Sequence, residues 1–316
     1  MKTLKTPVIT IVGPTASGKT DVAQQVALAV KGAVVSADSM QIYRGMDIGT
    51  GKLPVSERQV PHFGFDLRDP GEPYSAALFQ DYGRSCIAAL DAQDTPAVLC
   101  GGTGLYVRAV IDDYQFPTGE QVANPVRDHY TAYAEAHGNE ALWQLLQERD
   151  PESAAVVHPN NVRRVVRAFE LLEEGGSYAR QKEQLAHIAP YLPSVQFGLA
   201  VDPDILNERI NRRVDAMMDQ GLVNEVEHLL DQGFRQGVTA PQAIGYKEIV
   251  EALEARCTLD EAVEAIKQAT RRYAKRQRTW FRRDERICWL DATDPQPERL
   301  AEQILSHESL KGIFAR

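Results

Sequence analysis

The sequence predicts an α/β fold with a parallel-sheet core, a mainly helical insertion domain and a helical C-terminal region. Three features of its 316 residues carry that expectation. Short β-branched apolar runs alternate with helical patterns up to Tyr114, the alternation that builds right-handed βαβ units. Strand signal then nearly vanishes from about Phe116 to Pro193, where Pro117, Pro125, Pro151, Pro159 and Gly175-Gly176 punctuate helical stretches. An apolar run of strand length returns at Val195.

Taken in order, PVITIV (Pro7 to Val12) is almost wholly apolar and β-branched, as a central parallel strand covered on both faces requires. A helix is expected from about Gly18 to Lys31, and GAVVSADS forms a second strand ending at Asp38. A long loop passes Gly45, Gly49 and Gly51; SAALFQDYGRSCIAALDAQ is helical, and PAVLCGG is a further strand. Beyond the insertion, VQFGLAV (Val195 to Val201) returns to the core, DPDILNERINRRVDAMMDQG is a helix closed by Gly221, and RICWLDA is a last strand. The expected division is 1–115 for the first part of the core, 116–193 for the insertion and 194–316 for the second part.

Composition narrows the partners. With 35 basic against 44 acidic residues the formal net charge is −9, so nucleic acid or an anionic membrane would have to be held by a local basic patch. Cys86, Cys100, Cys257 and Cys288 lie far apart with no C-x-x-C pair, which argues against a disulfide framework or structural zinc and suits a reducing compartment. No stretch approaches the roughly 18 to 20 apolar residues of a membrane span, and PVITIV is too short for a signal-peptide core. A cytoplasmic protein with no membrane partner is the expectation, with a monomer as its state.

Gly13-Pro14-Thr15-Ala16-Ser17-Gly18-Lys19-Thr20 fits G-x-x-x-x-G-K-[ST] at every fixed position, between a predicted strand and a predicted helix. The expected core is therefore a P-loop parallel sheet. Its glycines let backbone N–H groups converge on phosphate oxygens, the helix N-terminus adds partial positive charge, Lys19 supplies a mobile cation, and the Thr20 hydroxyl can ligate Mg²⁺. GMDIGTGK (Gly45 to Lys52) fails the same pattern, with Met46 in place of the first glycine and Leu53 in place of Ser/Thr. It is either a substrate-facing loop or an ordinary surface turn.

The strand ends distinguish this site from a nucleotide hydrolase. PAVLC runs into Gly101-Gly102-Thr103-Gly104, without the carboxylate that would help hold magnesium there. An acid follows the other strand instead, in Asp38-Ser39-Met40-Gln41. Strand C-termini of open α/β sheets line the ligand crevice, so Asp38, Thr103 and the phosphate loop are expected to converge. A carboxylate there can take a proton from a nucleophile while the loop holds a departing phosphate group. Asp38 as a turn acid and Thr103 as part of a tight turn are the structural alternatives.

The local basic patch lies near the end of the chain. TLDEAVEAIKQATRRYAKRQRTWFRR opens with Thr258 and Glu261 at capping-box spacing, and Ile266, Ala269, Tyr273 and Trp280 form a helical stripe. Arg271, Lys275, Arg278 and Arg282 recur at i, i+4, i+7 and i+11 as a ridge, flanked by Arg272, Arg276 and Arg283. Such a face binds phosphate backbones, and RNA is a natural candidate. In the insertion, NNVRRVVRAFE puts Arg163 and Arg167 one turn apart with Arg164 beside them, over Val162, Val165, Val166, Phe169 and Leu172.

In this order, GPTASGKT, DSMQIYRGMDIGTGK, PYSAALF, GGTGLY, RRVVRAFE, AIGYKE and YAKRQRTWFRRD resemble the bacterial tRNA dimethylallyltransferases, from about Pro7 to Asp291. The resemblance implies that the loop from Gly13 to Thr20 holds the diphosphate of dimethylallyl diphosphate. The prenyl group goes to N6 of adenosine 37, beside the anticodon of tRNAs reading codons that start with U. It implies Asp38 as general base toward the adenine amine, Thr103 as a hydroxyl steadying the diphosphate, Lys19 and Thr20 serving diphosphate and Mg²⁺, and Arg213 also approaching the diphosphate. Asp38, Ser39, Met40 and Gln41, then Arg163, Arg164 and Arg167, then Gln242, Ala243, Ile244, Gly245, Tyr246 and Lys247 match segments that contact the tRNA anticodon stem-loop. Three positions depart from the family pattern: Arg163-Arg164 replaces its usual Gln-Arg, Gln242 a common arginine, and Phe63 a frequent second histidine. A P-loop small-molecule or nucleotide kinase is the competing class, and a non-enzymatic RNA-binding module switched by ATP is a third. The basic helix, the helical insertion and the missing strand-end acid weigh against a kinase.

Overall fold

The computed structural model describes residues 2–116, 124–186, 188–294 and 296–314. Six strands, β1 (Val8–Val12), β2 (Ala33–Ser36), β3 (His62–Phe63), β4 (Ala97–Gly101), β5 (Ser194–Ala200) and β6 (Ile287–Asp291), form one sheet. Its order is β3-β2-β4-β1-β5-β6, and every pairing is parallel. Interior β1 lies between β4 and β5, with Ile9 opposite Val98 on one side and Val195 on the other. All five of its residues are buried, which is why it reads as an unbroken apolar run rather than an alternating one.

Helices α1 (Lys19–Ala29), α2 (Ala76–Ala92) and α3 (Gly104–Ile111) follow β1, the long loop and β4 respectively. Between residues 113 and 189 lie α4 (Pro125–His137), α5 (Asn139–Arg149), α6 (Pro151–Ala155), α7 (Val162–Glu173) and α8 (Tyr178–Ala186). Helices α9 (Pro203–Asp219), α10 (Leu222–Asp231), α11 (Tyr246–Leu253), α12 (Leu259–Phe281) and α13 (Pro297–Leu305) complete the chain. The structure divides into two compact units, one of residues 1–112 with 190–316 and one of residues 113–189.

In the larger unit successive strand residues feed opposite faces. Ile9, Ile11 and Val98 pack with Val22 and Val26 of α1 and Leu300 and Ile304 of α13, while Val8, Val12 and Leu99 pack with Phe79 of α2 and Val107 and Val110 of α3. A third cluster gathers α9 to α12 around Ile42, Tyr43 and Met46, so the chain leaving β2 is anchored in the C-terminal helices. The smaller unit has its own core around Tyr130, Leu142, Leu146, Val165, Val166 and Phe169. Inside it Glu170, 1% exposed, takes Arg127 at 2.6 Å and Arg167 at 2.7 Å.

Several local expectations change. β2 stops at Ser36, so Asp38 belongs to the turn beyond it. β3 has only two residues, between Pro61 and Gly64, too few to show any periodicity. The buried residues of α12 are Ala262, Ile266, Ala274, Gln277 and Phe281; of the expected stripe Ile266 is buried, Ala269 and Tyr273 are half-buried and Trp280 is exposed. That helix meets the β4–α3 turn where glycines leave room, and this brings Gln277 inward and leaves Trp280 at 37% exposure. Pro117 lies outside the described residues.

Candidate active site

The segment from Gly13 to Thr20 joins β1 to α1, and its backbone is arranged by residues that tolerate unusual geometry. Gly18 caps α1 at φ 82° and Ala16 also stands at positive φ, 61°. A Cβ on Gly13 would lie 2.8 Å from the Ser17 hydroxyl, which would have to move to admit it. Lys19 and Thr20 form the first turn of α1, where unpaired N–H groups favour an anion.

This turn opens onto a cleft lined by Thr15, Lys19, Thr20, Asp38 and Arg213. Lys19, Thr20 and Arg213 supply its polar and cationic wall, Asp38 its carboxylate, and Thr50 and Gly51 of the glycine-rich loop close one side. Arg213 donates to the Thr50 carbonyl at 3.1 Å, and the Gln41 amide donates to the carbonyls of Thr50 and Gly51. Within GMDIGTGK, Thr50 and Gly51 are the residues that line the cleft. His62, stacked on Phe65, lies on the same wall and was not singled out by sequence.

Thr103 bonds to the turn that carries Asp38, although it is not itself among the residues lining the cleft. The Asp38 Oδ1 accepts the Met40 N–H at 2.9 Å. Thr103 Oγ1 accepts the Ser39 N–H at 3.1 Å and donates to Ser39 Oγ at 3.3 Å, so the hydroxyl after β4 is tied to the residue next to Asp38. Burial holds the Lys19 ammonium below its ordinary range; Asp38 pulls it back up and Arg213 pushes it further down. Burial likewise lowers Arg213, against the pull of Asp38 and Asp21. Cys100, behind Lys19, has its thiol pushed up to about 12 by burial and is an inert packing residue. Two half-buried cations beside one carboxylate suit the cleft to a strongly anionic group with one proton-accepting side chain next to it.

The residues marked for RNA are placed unequally. Arg163, Arg164, Lys275, Arg282, Gln242 and Lys247 are exposed. Arg167 is committed to Glu170 and Arg271 to Asn211, while Arg278 is half-buried with its Nε sequestered. Ala243, Gly245 and Tyr246 are buried, and the Tyr246 hydroxyl donates to Glu225 at 2.6 Å. Glu225 also accepts the N–H groups of Ile48 and Gly49, so Tyr246 helps hold the glycine-rich loop. Gln41 lines the cleft, with its side chain bonded to Ser36 at 2.8 Å and to the loop carbonyls. Ser39, Met40 and Ile244 are half-buried.

Sequence reasoning missed Gln277, whose amide bridges Thr15 and Gly102, and it placed Tyr273 only in a helical stripe, whereas its hydroxyl lies beside Thr103. A glutamine one turn from a tyrosine on an inward helix face signals a buried polar group, but not what it faces.

A P-loop α/β protein whose phosphate cleft pairs its cations with an acid from the neighbouring turn is the class that fold and cleft define. A family model described as IPP transferase matches residues 41–284, one described as isopentenyl transferase matches residues 6–60, and the chain belongs to the IPP transferase family. It is 46% identical, over 99% of its length and 98% of the relative's, to a tRNA dimethylallyltransferase of an Exiguobacterium species. To the tRNA dimethylallyltransferase of Bacillus subtilis it is 43% identical over 97% of this chain and 98% of that one. Among solved structures, the full-length tRNA isopentenylpyrophosphate transferase of Bacillus halodurans superposes with a TM-score of 0.68 at 42% identity, covering 94% of each chain. A eukaryotic dimethylallyltransferase acting on tRNA superposes with a TM-score of 0.76 at 28% identity, covering 94% of this chain and 77% of that one.

Proposed function

We propose that this protein transfers the dimethylallyl group of dimethylallyl diphosphate to N6 of adenosine 37 in tRNAs that read codons starting with U, releasing diphosphate. The observation that supports it most is the meeting, in one cleft, of the P-loop's Lys19 and Thr20 with Asp38. Relatives named for the same activity over nearly their whole length support it from the other side.

An exocyclic adenine amine is a poor nucleophile, so catalysis comes from holding it in line with the allylic carbon and stabilising the diphosphate as it departs. The loop amides, Lys19 and Arg213 bind the diphosphate, with Thr103 near its reacting end. Asp38 accepts the amine proton as the C–N bond forms and the C–O bond to diphosphate breaks. Base edges are readable in single-stranded loops, and adenosine 37 has to leave its stack to enter the cleft. Arg163, Arg164, Gln242, Lys247, Lys275 and Arg282, all exposed, are the proposed RNA-facing side chains.

Mg²⁺ fits the donor set. Thr20 offers one hard hydroxyl oxygen, and no group of three or more His, Cys, Asp or Glu among the described residues builds a protein cage, matching an ion held mainly by phosphate oxygens and water. When bound, Mg²⁺ would neutralise part of the charge that develops on the leaving diphosphate. No helix among the described residues is long and apolar enough to cross a membrane. The four cysteines are free, which suits a reducing compartment, and the proposed setting is the cytoplasm, with the protein acting as a monomer.

The test is transfer of label. Purified protein with Mg²⁺ and unmodified tRNA is expected to fix radiolabel from dimethylallyl diphosphate in the RNA at position 37 and none from ATP. Label entering from ATP, or no entry from the prenyl donor, would overturn the proposal.

A further inference from the structure

Gln277 is 5% exposed, and its amide joins two turns of the cleft that are not joined to each other in sequence. Its Oε1 accepts the Thr15 N–H of the phosphate loop at 2.9 Å, and its Nε2 donates to the Gly102 carbonyl, next to Thr103, at 3.0 Å. The approach is as close as a backbone allows: a Cβ on Gly102 would lie 2.3 Å from the Gln277 Nε2, and one on Gly104 would lie 2.1 Å from the Trp280 Nε1. One turn earlier on the same helix, the Tyr273 hydroxyl lies beside Thr103. Thus α12 carries exposed cations, Lys275 and Arg282, and an inward side that grips both loops of the cleft.

We propose that Gln277 is a positioning residue that sets the distance and orientation between the phosphate loop and the Thr103 turn, acting through Thr15 and Gly102 without touching substrate. The inference rests on the loop being a diphosphate cradle. Thr15 is the third residue of the phosphate loop, and its part-buried N–H takes its partner from Gln277. An amide, with a donor and an acceptor at one end, can satisfy an N–H and a carbonyl at once; no apolar side chain can.

The experiment compares wild type with Gln277→Leu, and with Gln277→Met as the better-packing alternative should the leucine variant fold poorly. Inorganic diphosphate binding in the presence of Mg²⁺ is measured by calorimetry, and KM for the prenyl donor and for tRNA are measured separately, with the unfolding midpoint recorded for each protein. Loss of the two hydrogen bonds is expected to weaken diphosphate binding and raise donor KM about tenfold, with tRNA KM moving by less than about twofold. Unchanged diphosphate affinity in a folded variant, or donor and tRNA KM rising together, would show that Gln277 only packs the helix and would overturn the proposal. Failure of wild type itself to bind diphosphate would instead bring down the cradle on which it rests.

Discussion

Asp38 and Lys19 share one cleft with opposite charges, and each makes a separable prediction. Asp38→Asn keeps the side-chain shape but removes the proton acceptor, so kcat is expected to fall by about 10²–10⁴-fold while tRNA affinity stays near wild type. Single-turnover prenyl transfer and tRNA filter binding check it, and equal losses in both would sink the general-base role. Lys19 must be protonated to hold diphosphate, and burial lowers its pKa. The alkaline loss of kcat/KM for the donor should therefore begin below the ordinary lysine range, and Lys19→Arg should push that limb to higher pH. For stability the sign is opposite: the unfolded chain holds this proton more tightly, so the Lys19 penalty is relieved as pH rises from the folded pKa toward the ordinary one. Among single residues, Lys19 and Thr20 were legible because a short motif encodes them. Gln277 was not, because its partner Thr15 lies 262 positions away.

At the scale of elements, α12 and α7 show how a helix divides its charges. The start of α12 was readable: the Thr258 hydroxyl accepts the Glu261 N–H at 3.2 Å and the Glu261 carboxylate accepts the Thr258 N–H at 2.8 Å, as the spacing implies. Within its basic ridge, Lys275 and Arg282 are exposed while Arg271 is held by Asn211. Replacing Lys275 or Arg282 by alanine should weaken tRNA binding and reduce the slope of log affinity against log salt by about 0.7–0.9 for each phosphate no longer neutralised. Titrating the salt with each variant checks it, and an unchanged slope would remove that residue from the interface. In α7, burial pushes the Glu170 carboxyl up, but Arg127 and Arg167 outweigh it and hold the group below its ordinary range. Its stabilising contribution is complete above the unfolded carboxyl pKa and is lost as pH falls through the depressed folded value. Glu170→Gln should cost about 1–3 kcal/mol near neutral pH and less in acid, as followed by urea unfolding at two pH values. Equal costs at both would contradict the pairing.

At the scale of the molecule, the sheet brings residues from both ends of the chain to one cleft: β1 and β4 carry the phosphate loop and the Thr103 turn, while β5 precedes α9, which delivers Arg213. A ligand seated there binds only the folded protein. Diphosphate with Mg²⁺ at about one hundred times its dissociation constant should therefore stabilise the fold by roughly 2.7 kcal/mol. Adding a chelator should abolish most of that gain. A thermal shift with diphosphate that is indifferent to chelation would argue against the ion's place beside Thr20.

Five of the six strands, the phosphate loop and the family were legible in the sequence alone, because apolar periodicity, glycine spacing and capping act over a few neighbouring residues. Tertiary structure alone decided which polar groups serve the cleft and which serve the packing. Tyr246 went to Glu225, Arg167 to Glu170 and Gln277 to the two site loops, since burial and hydrogen-bond partnership depend on chain segments that meet only after the sheet and its helices have assembled.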